Sequence, residues 1–170
     1  MDYKQYIANI QDFPTKGILF RDITPLMQNG DVFSHVIETM SNIVANLNAT
    51  VIVGPEARGF IFGCPVAFKL KIGFVPVRKP GKLPRDVVFM SYDLEYGSNT
   101  LAVHADAIKP GDNVVIIDDL LATGGTVFAT CKLVEKLGGK VAGIITLIEL
   151  KELHGRNTLK DYFIYSLIKY

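Results

Sequence analysis

An α/β fold with a mostly parallel central sheet flanked by helices is what the sequence predicts, and three observations predict it. Residues 114–117 read VVII, a β-branched run without polar alternation, which suits a central strand buried on both faces. Strand-like segments alternate along the chain with stretches of helical period, the order that gives parallel strands joined by right-handed crossovers. The central run continues at 118–126 as DDLLATGGT, so the strand passes directly into a glycine-opened helix, and open α/β sheets bind ligands beyond such strand ends.

Taken in order, residues 3–11 predict an N-terminal helix and residues 17–21 an extended piece. Residues 31–47 predict a helix whose apolar stripe runs through Val32, Val36, Met40, Ile43 and Leu47, with Asp31 placed to cap it. A strand over 50–53 ends in Gly54-Pro55, a helix follows to Leu70, and a further strand covers 74–77. Residues 78–90 hold three prolines or glycines and five charges without periodicity, and read as a long functional loop. Residues 92–96 and 100–104 flank Gly97-Ser98-Asn99 as a hairpin, closed off by a turn at Pro110-Gly111-Asp112. The helix after the central strand keeps its period through Val127, Cys131, Val134 and Leu137 and stops at Gly138-Gly139. Strands over 140–150 and 162–167 complete the pattern.

A chain of 170 residues predicts one domain with a full core. A net charge of +1 supplies no field for nucleic acid or an anionic membrane, so neither is an expected partner and small anions are. Cys64 and Cys131 stand far apart, without a CxxC, in apolar stretches; they predict reduced, buried, structural thiols and a cytoplasmic protein. His35, His104 and His154 are scattered singly, which argues against a zinc site and against a local nucleophile–base pair. The N-terminus is polar and no apolar run approaches ~18 residues, so neither a signal peptide nor a membrane span is expected.

The chemistry concentrates at residues 114–126. Asp118 and Asp119 are expected on opposite sides of the strand end, where two carboxylates can hold vicinal hydroxyls. Ala122, Thr123, Gly124, Gly125 and Thr126 open a helix whose first N–H groups lack intrahelical partners, and the glycines let the main chain approach an anion. A phosphate monoester fits such a nest, so the segment reads as a cradle for a phosphorylated sugar. An isolated Asp-Asp would instead read as a cap or a solvated loop; the ATGGT that follows a buried strand favours the cradle. A P-loop needs Lys followed by Ser or Thr, whereas Gly125 precedes Thr126 and Gly139-Lys140 precedes Val141. No GxGxxG stands at a strand end.

With these residues in view, VVIIDDLLATGGT resembles the phosphoribosyl-diphosphate signature of the type I phosphoribosyltransferases. Four further motifs resemble the adenine-specific branch of that family: FPTKGILFRDITPL at 13–26, GPEARGFIFG at 54–63, RKPGKLP at 78–84 and SYDLEYG at 91–97. The resemblance covers nearly the whole chain. It implies a type I phosphoribosyltransferase-like fold with a small hood at 1–30, a mobile loop and hairpin at 78–104 and the cradle at 114–126. It further implies transfer of the 5-phosphoribosyl group to adenine, giving AMP and diphosphate, with Mg2+ bound mainly through substrate oxygens and a homodimer as the assembly.

By the same resemblance Arg58 lies in the diphosphate-binding turn, near an expected cis peptide at Glu56-Ala57, and Glu56 either takes the family's acidic place or caps a helix. Arg78, Lys79 and Lys82 match the diphosphate in charge, or form a solvated loop. Glu95 is the candidate for moving the proton on the purine, against an ordinary surface carboxylate. Tyr96 covers the sugar or bonds the diphosphate, against an exposed hairpin tyrosine. Leu19, Phe20 and Arg21 would read adenine through a stacking face and an extended backbone, against Phe20 as plain core. Two other functions compete: transfer to hypoxanthine, guanine or xanthine, and a regulator that senses phosphoribosyl diphosphate. Residues 13–26 favour adenine, and the regulator would need a basic surface or an added nucleic-acid-binding module.

Overall fold

The computed structural model describes residues 1–93 and 98–170, with the backbone alone at Asp93 and Ser98. The expectations for Glu95 and Tyr96 therefore lie outside the described residues. Chain contacts divide the protein into two compact units, Met1–Thr39 and Met40–Tyr170.

In the first unit a 3-10 turn over Tyr3–Tyr6 is capped by Asp2, whose carboxylate accepts the Lys4 amide at 3.0 Å. Strand β1 (Ala8–Gln11) then pairs antiparallel with β2 (Leu19–Asp22). This corrects the N-terminal helix expected over residues 3–11. A helix that short is marginal by itself, while pairing with 19–22 satisfies the backbone of 8–11 directly. Asp12, at φ 58°, turns the chain and accepts the Gly17 amide at 2.6 Å. Helix α1 (Thr24–Gln28) carries Pro25 in its first turn, where the missing N–H costs no helical bond. Helix α2 spans Gly30–Asn46 and its stripe Val32, Val36 and Ile37 is buried. Its cap is Asn29, which accepts the Val32 amide at 3.2 Å; the expected cap, Asp31, lies within the first turn and complements the helix dipole from there.

The second unit is organised by β3 (Val51–Pro55), α3 (Arg58–Leu70), β4 (Gly73–Val77), β5 (Val87–Asp93), β6 (Ser98–His104), β7 (Asn113–Leu121), α4 (Gly125–Lys136), β8 (Lys140–Glu149), the short α5 (Gly155–Thr158) and β9 (Ile164–Lys169). Five strands form one parallel sheet in the order β4-β3-β7-β8-β9, with β7 at its centre. Val114, Val115, Ile116 and Ile117 are all fully buried, which is why the run lacks alternation. Each such side chain contributes ~1.5–3 kcal/mol relative to exposure.

The hairpin β5-β6 is antiparallel, and Arg78 and Ala102 exchange backbone bonds of 2.9 and 2.7 Å that tie it to the chain after β4. Residues expected as loop at 87–90 are thus strand, a second correction. Val88 and Met90 alternate with exposed Phe89 in period two, a pattern hidden in the sequence by the prolines and charges just before it. Cys131 is buried, but Cys64 is exposed on α3, contrary to the expectation of two buried thiols; both are free. Apolar composition around Cys64 could not report which helix face it occupies, and its helical neighbour Phe68, four residues on, is 87% exposed. Among the described residues no helix is long and apolar enough to cross a membrane.

Candidate active site

A cavity of about 240 Å³ opens at the carboxyl ends of β3 and β7, lined by Pro55, Glu56, Arg58 and every residue from Asp118 to Val127. Two helices begin on its wall: α3 at Arg58 and α4 at Gly125. Helix starts present N–H groups without intrahelical partners and the positive end of the dipole, and both favour an anion. Gly124 takes φ 88°, a left-handed conformation that turns the chain from β7 into α4 and suits glycine.

The turn from β7 into α4 is braced from outside the motif. A Cβ on Gly124 would stand 2.8 Å from the Gly155 carbonyl oxygen, and one on Gly155 would overlap the Ala122 carbonyl oxygen. Leu150 donates its amide to Leu121 at 2.9 Å, and the Thr158 hydroxyl donates to the Thr123 carbonyl at 3.2 Å. Arg156 clamps buried Glu149 with bonds of 2.6 and 2.8 Å, holding this bracing turn to the end of β8. Arg156, foremost, keeps the Glu149 carboxyl below the usual carboxylate range.

Asp118 and Asp119 are both buried. Strand alternation predicts opposite sides, yet both reach the same cavity, with the Asp118 carboxylate turned back to accept the Asp119 amide at 2.8 Å. Burial pushes the Asp118 carboxyl well above its ordinary range, and the Asp119 charge adds to the effect. Burial also raises Asp119, opposed by Arg58, whose guanidinium lies 3.0 Å from it. Burial thus favours a proton on the pair, while Arg58 beside Asp119, a hydroxyl donor or positive charge developing nearby would favour its ionised form.

Glu56 follows β3, and the Glu56-Ala57 peptide is cis, as the resemblance implied. Glu56 does not cap α3; it accepts Arg78 at 2.7 Å and the Lys79 amide at 2.9 Å. Burial alone would raise its carboxyl, but the Lys79 amide and Arg78 outweigh that and lower it. Arg78 also donates to the Lys82 carbonyl at 3.2 Å. Lys79 and Lys82 are exposed and do not line the cavity; Lys79 lines a neighbouring cavity of about 310 Å³ with Tyr92, Asn99 and Thr100.

The structure thus brings Arg58, Asp118, Asp119, Ala122, Thr123, Gly124, Gly125 and Thr126 to one wall and sets Arg78 behind Glu56. Leu19, Phe20 and Arg21 belong to the first unit. There Phe20 packs edge-on against Phe13 with centroids 5.1 Å apart, and Arg21 donates to Asn9. Among the described residues no group of three or more ligating side chains converges to hold a metal. Residue patterns did not point to Thr158, nor to the contacts that Gly155 and Tyr92 make with the start of α4, because those contacts join residues tens of positions apart; Tyr92 lies 2.9 Å from Thr126.

A parallel sheet with two helix starts and a carboxylate pair around one anion-sized cavity is the architecture of a phosphoribosyltransferase, and the phosphoribosyl transferase domain family matches residues 23–169. The chain belongs to that family. Its relatives place it in the adenine branch. It is 58% identical to the adenine phosphoribosyltransferase of Lactobacillus acidophilus over all of this chain and 97% of the relative. The crystal structure of adenine phosphoribosyltransferase from Thermoanaerobacter pseudethanolicus is 52% identical, with a TM-score of 0.95 over 98% of this chain and 97% of that one. The Saccharomyces cerevisiae enzyme, solved with an imino-altritol bisphosphate and adenine, is 38% identical, with a TM-score of 0.92 over 96% of this chain and 95% of that one.

Proposed function

We infer that this chain transfers the 5-phosphoribosyl group of 5-phospho-α-D-ribose 1-diphosphate to adenine, releasing diphosphate and forming AMP, a step of purine salvage. The observation that carries the reading is the convergence of Asp118, Asp119 and the amides at the start of α4 on one cavity, in a chain whose full-length relatives are adenine phosphoribosyltransferases.

The chemistry needs three things of the protein: a grip on the sugar phosphate, stabilisation of charge as the anomeric carbon loses diphosphate, and exclusion of water. Ala122, Thr123, Gly124, Gly125 and Thr126 hold the 5-phosphate through main-chain amides and threonine hydroxyls. Asp118 and Asp119 accept the ribose hydroxyls and favour positive charge at the anomeric carbon. Arg58 receives the diphosphate on the cavity wall, Arg78, Lys79 and Lys82 beyond that wall match it in charge, and Glu56 sets the position of Arg78 through their 2.7 Å bond. The bond from anomeric carbon to diphosphate oxygen breaks with its electron pair leaving on oxygen. A ring nitrogen of adenine forms the new bond and gives up its proton, for which Glu95 is the acceptor in this scheme. Tyr96 covers the sugar or bonds the diphosphate, and closure of the 78–104 segment shuts out water. Leu19, Phe20 and Arg21, in the 1–30 hood, read the base.

Magnesium suits this site chemically. The wall offers hard carboxylate oxygens at Glu56, Asp118 and Asp119 rather than thiolates or imidazoles, so the ion would be held mainly by substrate oxygens and water with these carboxylates around it. When bound it supplies charge neutralisation to the leaving diphosphate. A homodimer in the cytoplasm completes the reading, in keeping with two unpaired cysteines.

The test is consumption of adenine, hypoxanthine and guanine by purified protein with magnesium and phosphoribosyl diphosphate. Adenine should be used at least a hundredfold faster, since a site that bonds the 6-amino edge leaves buried groups unpaired against a carbonyl. Equal rates would overturn the base assignment.

A further inference from the structure

We propose that Tyr92 is a positioning residue for the 5-phosphate, orienting the Thr126 hydroxyl and linking the occupied cradle to the β5-β6 hairpin. The proposal rests on the reading of Thr126 as a phosphate ligand. Along β5, Val88, Met90 and Tyr92 share one face and pack on the core that includes Val127, Ala129 and Cys131 of α4. Tyr92 ends that row, so its ring reaches the very start of the helix. A Cβ added to Gly125 would stand 3.0 Å from the Tyr92 ring. The Tyr92 hydroxyl lies 2.9 Å from the Thr126 hydroxyl, and either can donate.

A phosphate removes that ambiguity. An anion accepts hydrogen bonds, so with phosphate present the Thr126 proton turns toward it and the Thr126 oxygen accepts from Tyr92. The resulting chain, Tyr92 to Thr126 to phosphate, has all its donors pointing one way and strengthens cooperatively. Tyr92 also lines the cavity shared with Lys79, Asn99 and Thr100, so one side chain touches both the cradle helix and the hairpin strands. Occupation of the cradle is thereby felt at β5, the strand whose sequence runs on to Glu95.

The experiment is a calorimetric double-mutant cycle with ribose 5-phosphate, a probe that binds without reacting, on full-length protein. Tyr92→Phe keeps the ring and removes only the hydroxyl, so it should bind roughly threefold to tenfold more weakly. In a Thr126→Val background the same change should cost less than about twofold, because the hydroxyl that Tyr92 orients is gone. Thr126→Ser should preserve the full effect of Tyr92→Phe. Saturating ribose 5-phosphate should slow amide exchange across Phe89 and Met90 in the wild type and do so less in Tyr92→Phe. Wild-type affinity in Tyr92→Phe, equal losses in both backgrounds, or exchange protection that ignores the substitution would each overturn the proposal while leaving the cradle intact. Unchanged affinity in Thr126→Val would instead overturn the phosphate-ligand reading beneath it.

Discussion

Asp118 carries a burial cost at the level of a single side chain. Its carboxyl is buried beside a second carboxylate, so burial first, and the Asp119 charge next, raise its proton affinity. A carboxyl raised on folding supports the fold fully below the ordinary range, near pH ~4, and that support is lost as pH rises through the raised value. Asp118→Asn should therefore raise the melting temperature at neutral and alkaline pH, with the gain shrinking toward pH ~4. It should also weaken ribose 5-phosphate binding on the order of tenfold through loss of a charged acceptor. Thermal melts across pH, paired with titrations, check both arms; a variant that binds normally would remove Asp118 from diol recognition. The contrast with Asp119 is instructive, since Arg58 at 3.0 Å already offsets part of its burial. The pairing of Arg58 with Asp119 was not legible in the sequence, where the two are sixty-one positions apart; the place of Asp118 and Asp119 at the end of a buried strand, just before a glycine-opened helix, was, because ATGGT follows the apolar run within a few residues.

At the scale of the element, the turn from β7 into α4 takes its shape as much from α5 as from its own glycines. The left-handed Gly124 sits close to Gly155, whose own α-carbon faces the Ala122 carbonyl with no room for a methyl group. Gly155→Ala must push the two turns apart. We expect a loss of roughly 1–3 kcal/mol in stability, typical of forced overpacking, and weaker ribose 5-phosphate binding, read by denaturant titration and calorimetry. Wild-type values in both would show that the turns move independently. The hairpin teaches the complementary lesson. An antiparallel pair was legible on either side of Gly97-Ser98-Asn99, but Ser98 and Asn99, expected in the turn, belong to β6 and pair with Asp93 and Tyr92; β5 was hidden behind the charges and prolines of 78–86, and only pairing with β6 makes Val88, Met90 and Tyr92 a row. The N-terminal strand β1 likewise exists because β2 is there to pair with it.

For the whole molecule, a ligand that binds only the folded chain must stabilise it by mass action. Ribose 5-phosphate at a hundred times its dissociation constant should add about 2.7 kcal/mol. In a chain of this size that is roughly 5–10 °C in melting temperature, and a melt insensitive to the ligand would contradict a preformed cradle.

The parallel sheet, the helices that follow its strands and the strand-to-helix crossing at 114–126 were all determined by the sequence itself, because burial on both faces, helical period and glycine placement are local constraints written in neighbouring residues. Tertiary structure alone decided that Asp118 and Asp119 share one cavity, that Glu56 holds Arg78, that Cys64 faces outward, and that Tyr92 and Gly155 press on the start of α4. Those are contacts between distant segments, and their energies depend on register, crossover and desolvation that no window of sequence contains.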